Sequence, residues 1–163
     1  MPCPQCQAIT KDGTRCKRNT CVRYPLCFQH MKSIEGLEIK QSNIPNADLG
    51  LFATKEFPYN ERNPPTITKY SSKQIENQEN PDSDYVLKVG KNRYLDSKDK
   101  SNYAGRYINS YLNDPALRPA NVRFTAGSRI YPFNNRYYVP IKQIRQINKG
   151  EELLIDYGRN YRL

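Results

Sequence analysis

The residues with the most distinctive chemistry lie in the first thirty positions. Cys3, Cys6, Cys16, Cys21, Cys27 and His30 are all the cysteines and the only histidine of the chain. Thiolates and one imidazole form the donor set that tetrahedral zinc takes, and a module this short needs such a centre to fold. The odd number of cysteines speaks against a disulfide knot, as does the N-terminus MPCPQCQAIT, which lacks the apolar stretch of a secretory signal. Two ligand sets satisfy the spacing. CPQC and CFQH each make a two-ligand knuckle, giving Cys3, Cys6, Cys27 and His30, whereas Cys6, Cys16, Cys27 and His30 follow C-x9-C-x10-C-x2-H. Gly13, in TKDGTR, supplies a tight turn between ligands. A catalytic zinc keeps one position open for water beside a general base, and no such base stands nearby. The expected role is structural.

A second chemical feature lies at the other end, in GEELLIDYGRNY from Gly150 to Tyr161. The apolar run Leu153-Leu154-Ile155 breaks into Asp156, Tyr157 and Gly158. A tyrosine at a strand end half-buries its ring and wets its hydroxyl, or it aims a phenol into a site. On its own the stretch leaves both readings open.

The elements that must position these groups follow from composition and pattern. With 163 residues, 37% hydrophobic, and a mean hydropathy of -0.88, the chain supports one modest core and a small appendage. No apolar run approaches a membrane span, so a soluble intracellular protein is expected. The net charge of +10 favours acidic or phosphate-bearing surroundings, but no basic run of five or more marks a dedicated DNA-binding helix. Segregation of the cysteines divides the chain into a zinc module, residues 1–32, and a body, residues 33–163. GLEIKQS, LFATKEF, TITKY, NVRFTAG, YYVPIKQI and ELLIDY read as strands, and YVLKV with NRYLD reads as a hairpin about Gly90-Lys91. SNYAGRYINSYL reads as a short helix or turn, and the polar stretch from Pro58 to Asp84 as loop apart from TITKY. The body is therefore mainly β.

Two resemblances sharpen this picture. CQAITKDGTRC followed by CFQH resembles a short zinc-binding module common in viral proteins, C-x-A-x-T-x-x-G-x-x-C…C-x-x-H, and on that resemblance the ligands are Cys6, Cys16, Cys27 and His30. LGLFA, RYINS, ANVRF and KGEELLIDYG, in that order, resemble the SET domain of protein lysine methyltransferases from about Ile34 to Tyr161. This second resemblance implies several short β-sheets with long loops and S-adenosyl-L-methionine as methyl donor. Asp48, Leu49 and Gly50 stand where the family's G-x-G loop passes its main chain around the donor, with Asp48 in place of the first glycine. Arg106, Asn109 and Ser110 stand in the R-F-I-N-H segment. There the asparagine binds the donor's amino-acid part, and Ser110 replaces the histidine. Tyr103 sits where relatives often carry an aromatic near the donor, and Asn121 matches an asparagine that ties this loop to the C-terminal segment. Tyr157 matches the tyrosine beside the methyl-transfer site, which makes it the expected catalytic residue and a donor contact. Tyr161 matches the terminal aromatic of compact and viral relatives. Tyr111, Tyr137 and Tyr138 are candidate walls of a lysine channel, although a half-buried strand or loop tyrosine is the plainer reading of each.

The function so implied is lysine methylation of a protein tail, a histone tail most naturally, in a nucleus or a viral compartment. Nucleosomal DNA is a further contact under this reading, and a homodimer is one way to complete the site wall. A basic enzyme gains nothing electrostatically from a basic tail, so an acidic rim of Asp82, Asp84, Asp96, Asp99 and Asp114 is expected. Asp48 and Ser110 keep an inactive SET-like adaptor in view. A zinc-containing nucleic-acid binder on a β platform is the third reading, with steeply salt-dependent affinity.

Overall fold

The computed structural model describes residues 3–20, 25–72, 75–83, 85–98, 104–125, 131–133 and 136–156. Two hydrophobic clusters organise it. Cys6, Ala8, Cys16 and Cys27 form the small one, while Leu37, Leu51, Leu87, Leu95, Ile108, Val139, Ile141 and Ile155 belong to the large one. Leu26 packs against both. One helical turn over Phe28–His30 runs into a π-helical turn, Met31–Glu35, whose Met31 already belongs to the large cluster. Gly36 ends this segment in the left-handed region, φ 70°, which glycine adopts without strain.

The body is β, built from short pieces as expected. Strands β1 (Leu37–Gln41) and β2 (Leu49–Ala53) pair antiparallel, with Leu37 opposite Ala53 and Gln41 opposite Leu49. β3 (Thr66–Ser72) belongs to the main sheet, and β4 (Ile75–Glu76), which the polar composition of residues 58–84 conceals, belongs to another. β5 (Val86–Gly90) and β6 (Arg93–Asp96) are the expected hairpin with its turn shifted by one residue. Gly90 pairs with Arg93, and Asn92 takes the left-handed conformation at φ 52°, which Asn tolerates well.

The remaining strands carry the site. They are β7 (Asn109–Ser110), β8 (Val122–Phe124), β9 (Tyr131–Phe133), β10 (Arg136–Gln143) and β11 (Leu154–Ile155). The main sheet runs β3-β10-β8-β11-β7, with β9 also on β10, and the three-stranded sheet runs β4-β6-β5. β11 pairs parallel with both β7 and β8. The last described strand is thus inserted between two strands joined by the intervening segment 111–121. Asn121 locks it there: its Nδ2 donates to the Glu152 carbonyl at 2.9 Å and its Oδ1 accepts from the Leu154 N–H at 2.9 Å. Tying this loop to the C-terminal segment is the part the sequence suggests for Asn121.

A 3-10 turn over Ala104–Tyr107 precedes β7 and lies against β3. A Cβ on Gly105 would strike the Lys69 carbonyl of β3 and come within 2.8 Å of Ile141 Cδ1. The absent side chain lets this turn press onto the sheet and sets where Asn109 emerges.

Candidate active site and metal centre

The ligand atoms of Cys6, Cys16, Cys27 and His30 all lie within 4.8 Å of one another. His30 Nδ1 is 3.3 Å from Cys27 Sγ and 3.6 Å from Cys6 Sγ, close to the nitrogen–sulfur edge of ~3.6 Å that a zinc–nitrogen bond of about 2.05 Å and a zinc–sulfur bond of about 2.3 Å give in a tetrahedron. Backbone bonds hold the two arms of the module together: Cys6 N donates to the Arg18 carbonyl and Cys16 N to the Ala8 carbonyl, each at 2.8 Å. Between the arms the chain reverses at Gly13, φ 82°, with Asp12 Oδ1 accepting from both Thr10 and Thr14. The Cys27-x2-His30 spacing on the short helix puts both groups on one side. Cys3 is disulfide-bonded and stands outside the four. Geometry therefore selects the second ligand set.

Electrostatics in the cluster call for a cation. Burial pushes the Cys6 thiol up, but hydrogen bonds from the Cys27 and Ala8 backbone and from His30 outweigh it and bring the thiol down to about 7. Cys16 moves the other way. The Arg18 backbone pulls it down, but burial and the neighbouring Cys6 and Cys27 sulfurs push it up. Three thiols this close cannot all ionise unaided, and a divalent ion at their centre lets them. Three sulfurs and one nitrogen are the donor set of a closed structural zinc site, and the residues present fit it.

In the body, the expected donor-site residues converge on a residue that motif matching alone does not single out: Glu152. Its side chain is fully buried. Oε1 accepts from Ser42 Oγ at 2.5 Å and Asn109 Nδ2 at 3.3 Å, and Oε2 accepts from the Asn43 N–H at 3.0 Å. Arg118 stands 3.9 Å from Oε2 while its Nε donates to Asp114. Arg118 in turn holds the Asp114 carboxyl below its ordinary value against the upward push of burial. Glu152 reaches this position because residues 151–153 run along β2, with Leu153 N on the Leu51 carbonyl at 2.7 Å and Ala53 N on the Glu151 carbonyl at 2.9 Å. An acid between an acid and a leucine, in GEELL, reads as turn polarity. Only its burial marks it out.

Asn109 shares this network and is oriented by it. Its Nδ2 faces three oxygens, the Leu49 carbonyl at 3.1 Å and Ser42 Oγ and Glu152 Oε1 at 3.3 Å each. With the amide nitrogen so fixed, Oδ1 is free of partners among the described residues and available to accept a hydrogen bond. Asp48 adopts φ 59°, the left-handed conformation a glycine would take there, and its side chain is exposed. Gly50 is buried, and a Cβ on it would meet Glu152 Oε1, with Glu152 Cδ at 3.1 Å and Phe52 Cε2 at 3.3 Å. Because the carboxylate is pinned by three donors, it cannot step aside. Gly50→Ala should lower stability by about 1–3 kcal/mol, as overpacking does, which thermal denaturation will read.

The other expected site residues have varied settings. Ser110 is buried, and its Oγ accepts from the Leu112 N–H at 3.3 Å, capping the 3-10 turn Tyr111–Asn113. The Arg106 guanidinium donates to the Ser97 carbonyl at 2.9 Å and stacks 4.0 Å over the Tyr85 ring, so it faces β5 and β6 and ties the two sheets. Tyr111 is half-buried. Tyr137 packs into the large core, and Tyr138 lies beneath the Lys69 ammonium, 4.6 Å from its ring centroid. Successive strand residues face opposite sides, so Tyr137 and Tyr138 do not wall the same channel. Asp96 and Asp114 are buried and bonded within the fold, Asp96 to Ser83 Oγ at 2.7 Å, so neither forms part of an acidic rim. Asp82 is exposed. Tyr103, Tyr157, Tyr161, Asp84 and Asp99 lie outside the described residues.

Comparison with known proteins places this arrangement. The family model described as SET domain matches residues 48–158, over half of the chain. Among solved structures, ctPRC2 in an autoinhibited conformation bound to S-adenosylmethionine aligns at a TM-score of 0.56 and 17% identity, covering 79% of this chain and 16% of that one. A humanized mutant of the Chaetomium thermophilum Polycomb Repressive Complex 2, bound to the inhibitor GSK343, aligns at 0.57 and 17% identity over 93% of this chain and 18% of that one. The shared feature is the fold, and this chain spans less than a fifth of those proteins. A search of curated protein sequences finds no match. Among the described residues no helix is long and apolar enough to cross a membrane.

Proposed function

The chain belongs to the SET-domain family, and from that premise we propose that it is an S-adenosyl-L-methionine-dependent protein lysine methyltransferase acting on a histone tail in a nucleus or viral compartment. Residues 1–32 form its zinc module and residues 33–163 its SET domain. The observation that carries the reading is the convergence of the Asp48–Gly50 segment, Asn109 and the Glu152–Ile155 segment on one buried network. When bound, S-adenosyl-L-methionine supplies an electrophilic methyl group on a sulfonium.

The roles then follow from the chain's own groups. Asn109 Oδ1, left open by the fixing of its amide nitrogen, accepts from the donor's ammonium. The Asp48–Gly50 backbone would lie alongside the donor, and the bare Gly50 leaves room for the Glu152 carboxylate that orients Asn109. Tyr157 follows β11 by two residues in the chain and would orient the neutral lysine amine toward the methyl group that the donor would supply. The chemistry the donor would supply is displacement at its methyl carbon, with its sulfur as the leaving group. In-line approach of a neutral amine with water excluded is what such a displacement requires.

The test is transfer of labelled methyl to core histones, nucleosomes and the protein itself, beside Tyr157→Phe. Losing one preorganised polar contact at the reacting centre should lower kcat by roughly 10²-fold while donor affinity by calorimetry is kept. No donor binding by the wild-type protein would sink the proposal in favour of the adaptor.

A further inference from the structure

The zinc module is left unexplained by methyl transfer, and its charge is distinctive. Residues 1–32 carry six Lys and Arg against one acid, Asp12, a net +5 that is half of the chain's +10 in a fifth of its length. Three zinc-bound thiolates and a divalent ion would add only one negative charge to this. Four of the six fall in the stretch KDGTRCKR, residues 11–18. In the fold, Lys11, Arg15, Lys17 and Arg18 line one surface depression of about 660 Å³ together with Thr10, Asp12 and Thr14. All four basic residues are exposed, and no described acid forms an ion pair with any of them.

The depression is held in shape by the metal-binding arms. Arg15 Nε donates to the Cys6 carbonyl and its NH2 to the Gln5 carbonyl, each at 2.9 Å, so its guanidinium is anchored to the ligand loop. Arg18 is steadied over the Phe28 ring, 5.5 Å from the centroid, and Phe28 is itself 63% exposed. Fixed guanidinium groups match phosphate oxygens and forfeit less side-chain entropy on binding than free ones. An open depression rimmed by four exposed cationic side chains suits a partner recognised by its charged surface. Duplex DNA, with one negative charge per ~1.7 Å of axis, presents the densest such surface.

We propose that the depression lined by Lys11, Arg15, Lys17 and Arg18 is a binding surface for the phosphodiester backbone of duplex DNA, independent of base sequence. The module is then the part of the chain that holds nucleic acid. This inference stands apart from the methyltransferase reading, because binding is measured without donor or transfer.

The experiment is fluorescence anisotropy of a labelled mixed-sequence DNA duplex with zinc-loaded full-length protein, titrated at several salt concentrations. Lys11→Ala/Lys17→Ala leaves the ligand loop's own hydrogen bonds intact. It should weaken binding by about tenfold or more and reduce the slope of log affinity against log salt by roughly 2. Lys91→Ala/Lys149→Ala removes the same charge from exposed positions of the β body and should change affinity by less than about twofold. Equal losses in the two double variants would overturn the proposal by assigning binding to bulk charge. Displacement of the duplex by an acidic polyglutamate peptide at matched charge concentration would overturn it too, giving the surface to an acidic protein instead.

Discussion

Stripping zinc from this protein should unfold residues 3–30 while leaving the β body folded. The four ligands lie on two arms and a single helical turn, and the small core behind them consists of three of the ligands themselves with Ala8. Without the ion, burial, mutual repulsion and hydrogen bonding pull the thiols apart in protonation, Cys6 down and Cys16 up, and the arms keep their few backbone hydrogen bonds and the Cys3 disulfide but no packed core. Metal binding to such modules contributes about 10–16 kcal/mol of apparent free energy, which is here the module's own stability. The expected results are one metal per chain and a cobalt-substituted form with tetrahedral absorption and sulfur-to-cobalt charge transfer. Cys16→Ala, Cys27→Ala and His30→Ala should each lose that spectrum, whereas Cys3→Ala should keep it. A Cys16→Ala variant with the intact spectrum would return the choice to the set containing Cys3.

The second large effect belongs to Glu152. Replacing it by alanine takes the acceptor from Ser42 Oγ and the Asn43 N–H, leaves Asn109 Nδ2 only the Leu49 carbonyl and Ser42 Oγ, and deprives Arg118 of one of its two carboxylates. Breaking a buried charged network from one side costs about 3–5 kcal/mol, because each stranded group keeps its desolvation penalty. For a chain of this size that lowers the melting temperature by roughly 10 °C. Glu152→Gln keeps one acceptor and the side chain's shape and should lose about half as much. Because Asn109 is oriented by this carboxylate, Glu152→Ala should also weaken donor binding, seen by calorimetry below its melting temperature. Unchanged melting in Glu152→Ala would mean that the network contributes nothing beyond what water provides.

These effects bear on how the fold was foreshadowed. The β character, the strand pieces and the hairpin are visible because period-2 patterning and turn residues act locally. The hairpin's turn is displaced by one residue because Asn92, not Gly90, takes the left-handed conformation. β4, two residues long in a polar stretch, has no pattern to betray it and exists through pairing with β6. The Arg106 guanidinium turns toward Tyr85 and the Ser97 carbonyl, contacts across the fold that its motif does not announce. Ser110, which stands where the family carries a histidine, caps the following turn with its hydroxyl.

By itself the sequence determined what depends on residue type and spacing. A zinc-ligand inventory confined to the first thirty residues, a mainly β body, and an ordered set of SET-like segments can be read from residue pattern because metal coordination and strand periodicity are short-range. Only the tertiary structure decided which four ligands meet and that Glu152 is buried beneath Gly50 and Asn109. Each of these joins positions far apart in the chain. Such proximity is set by how β11 inserts between β7 and β8 and how the two arms of the module close on their metal, and no local pattern of residues encodes it.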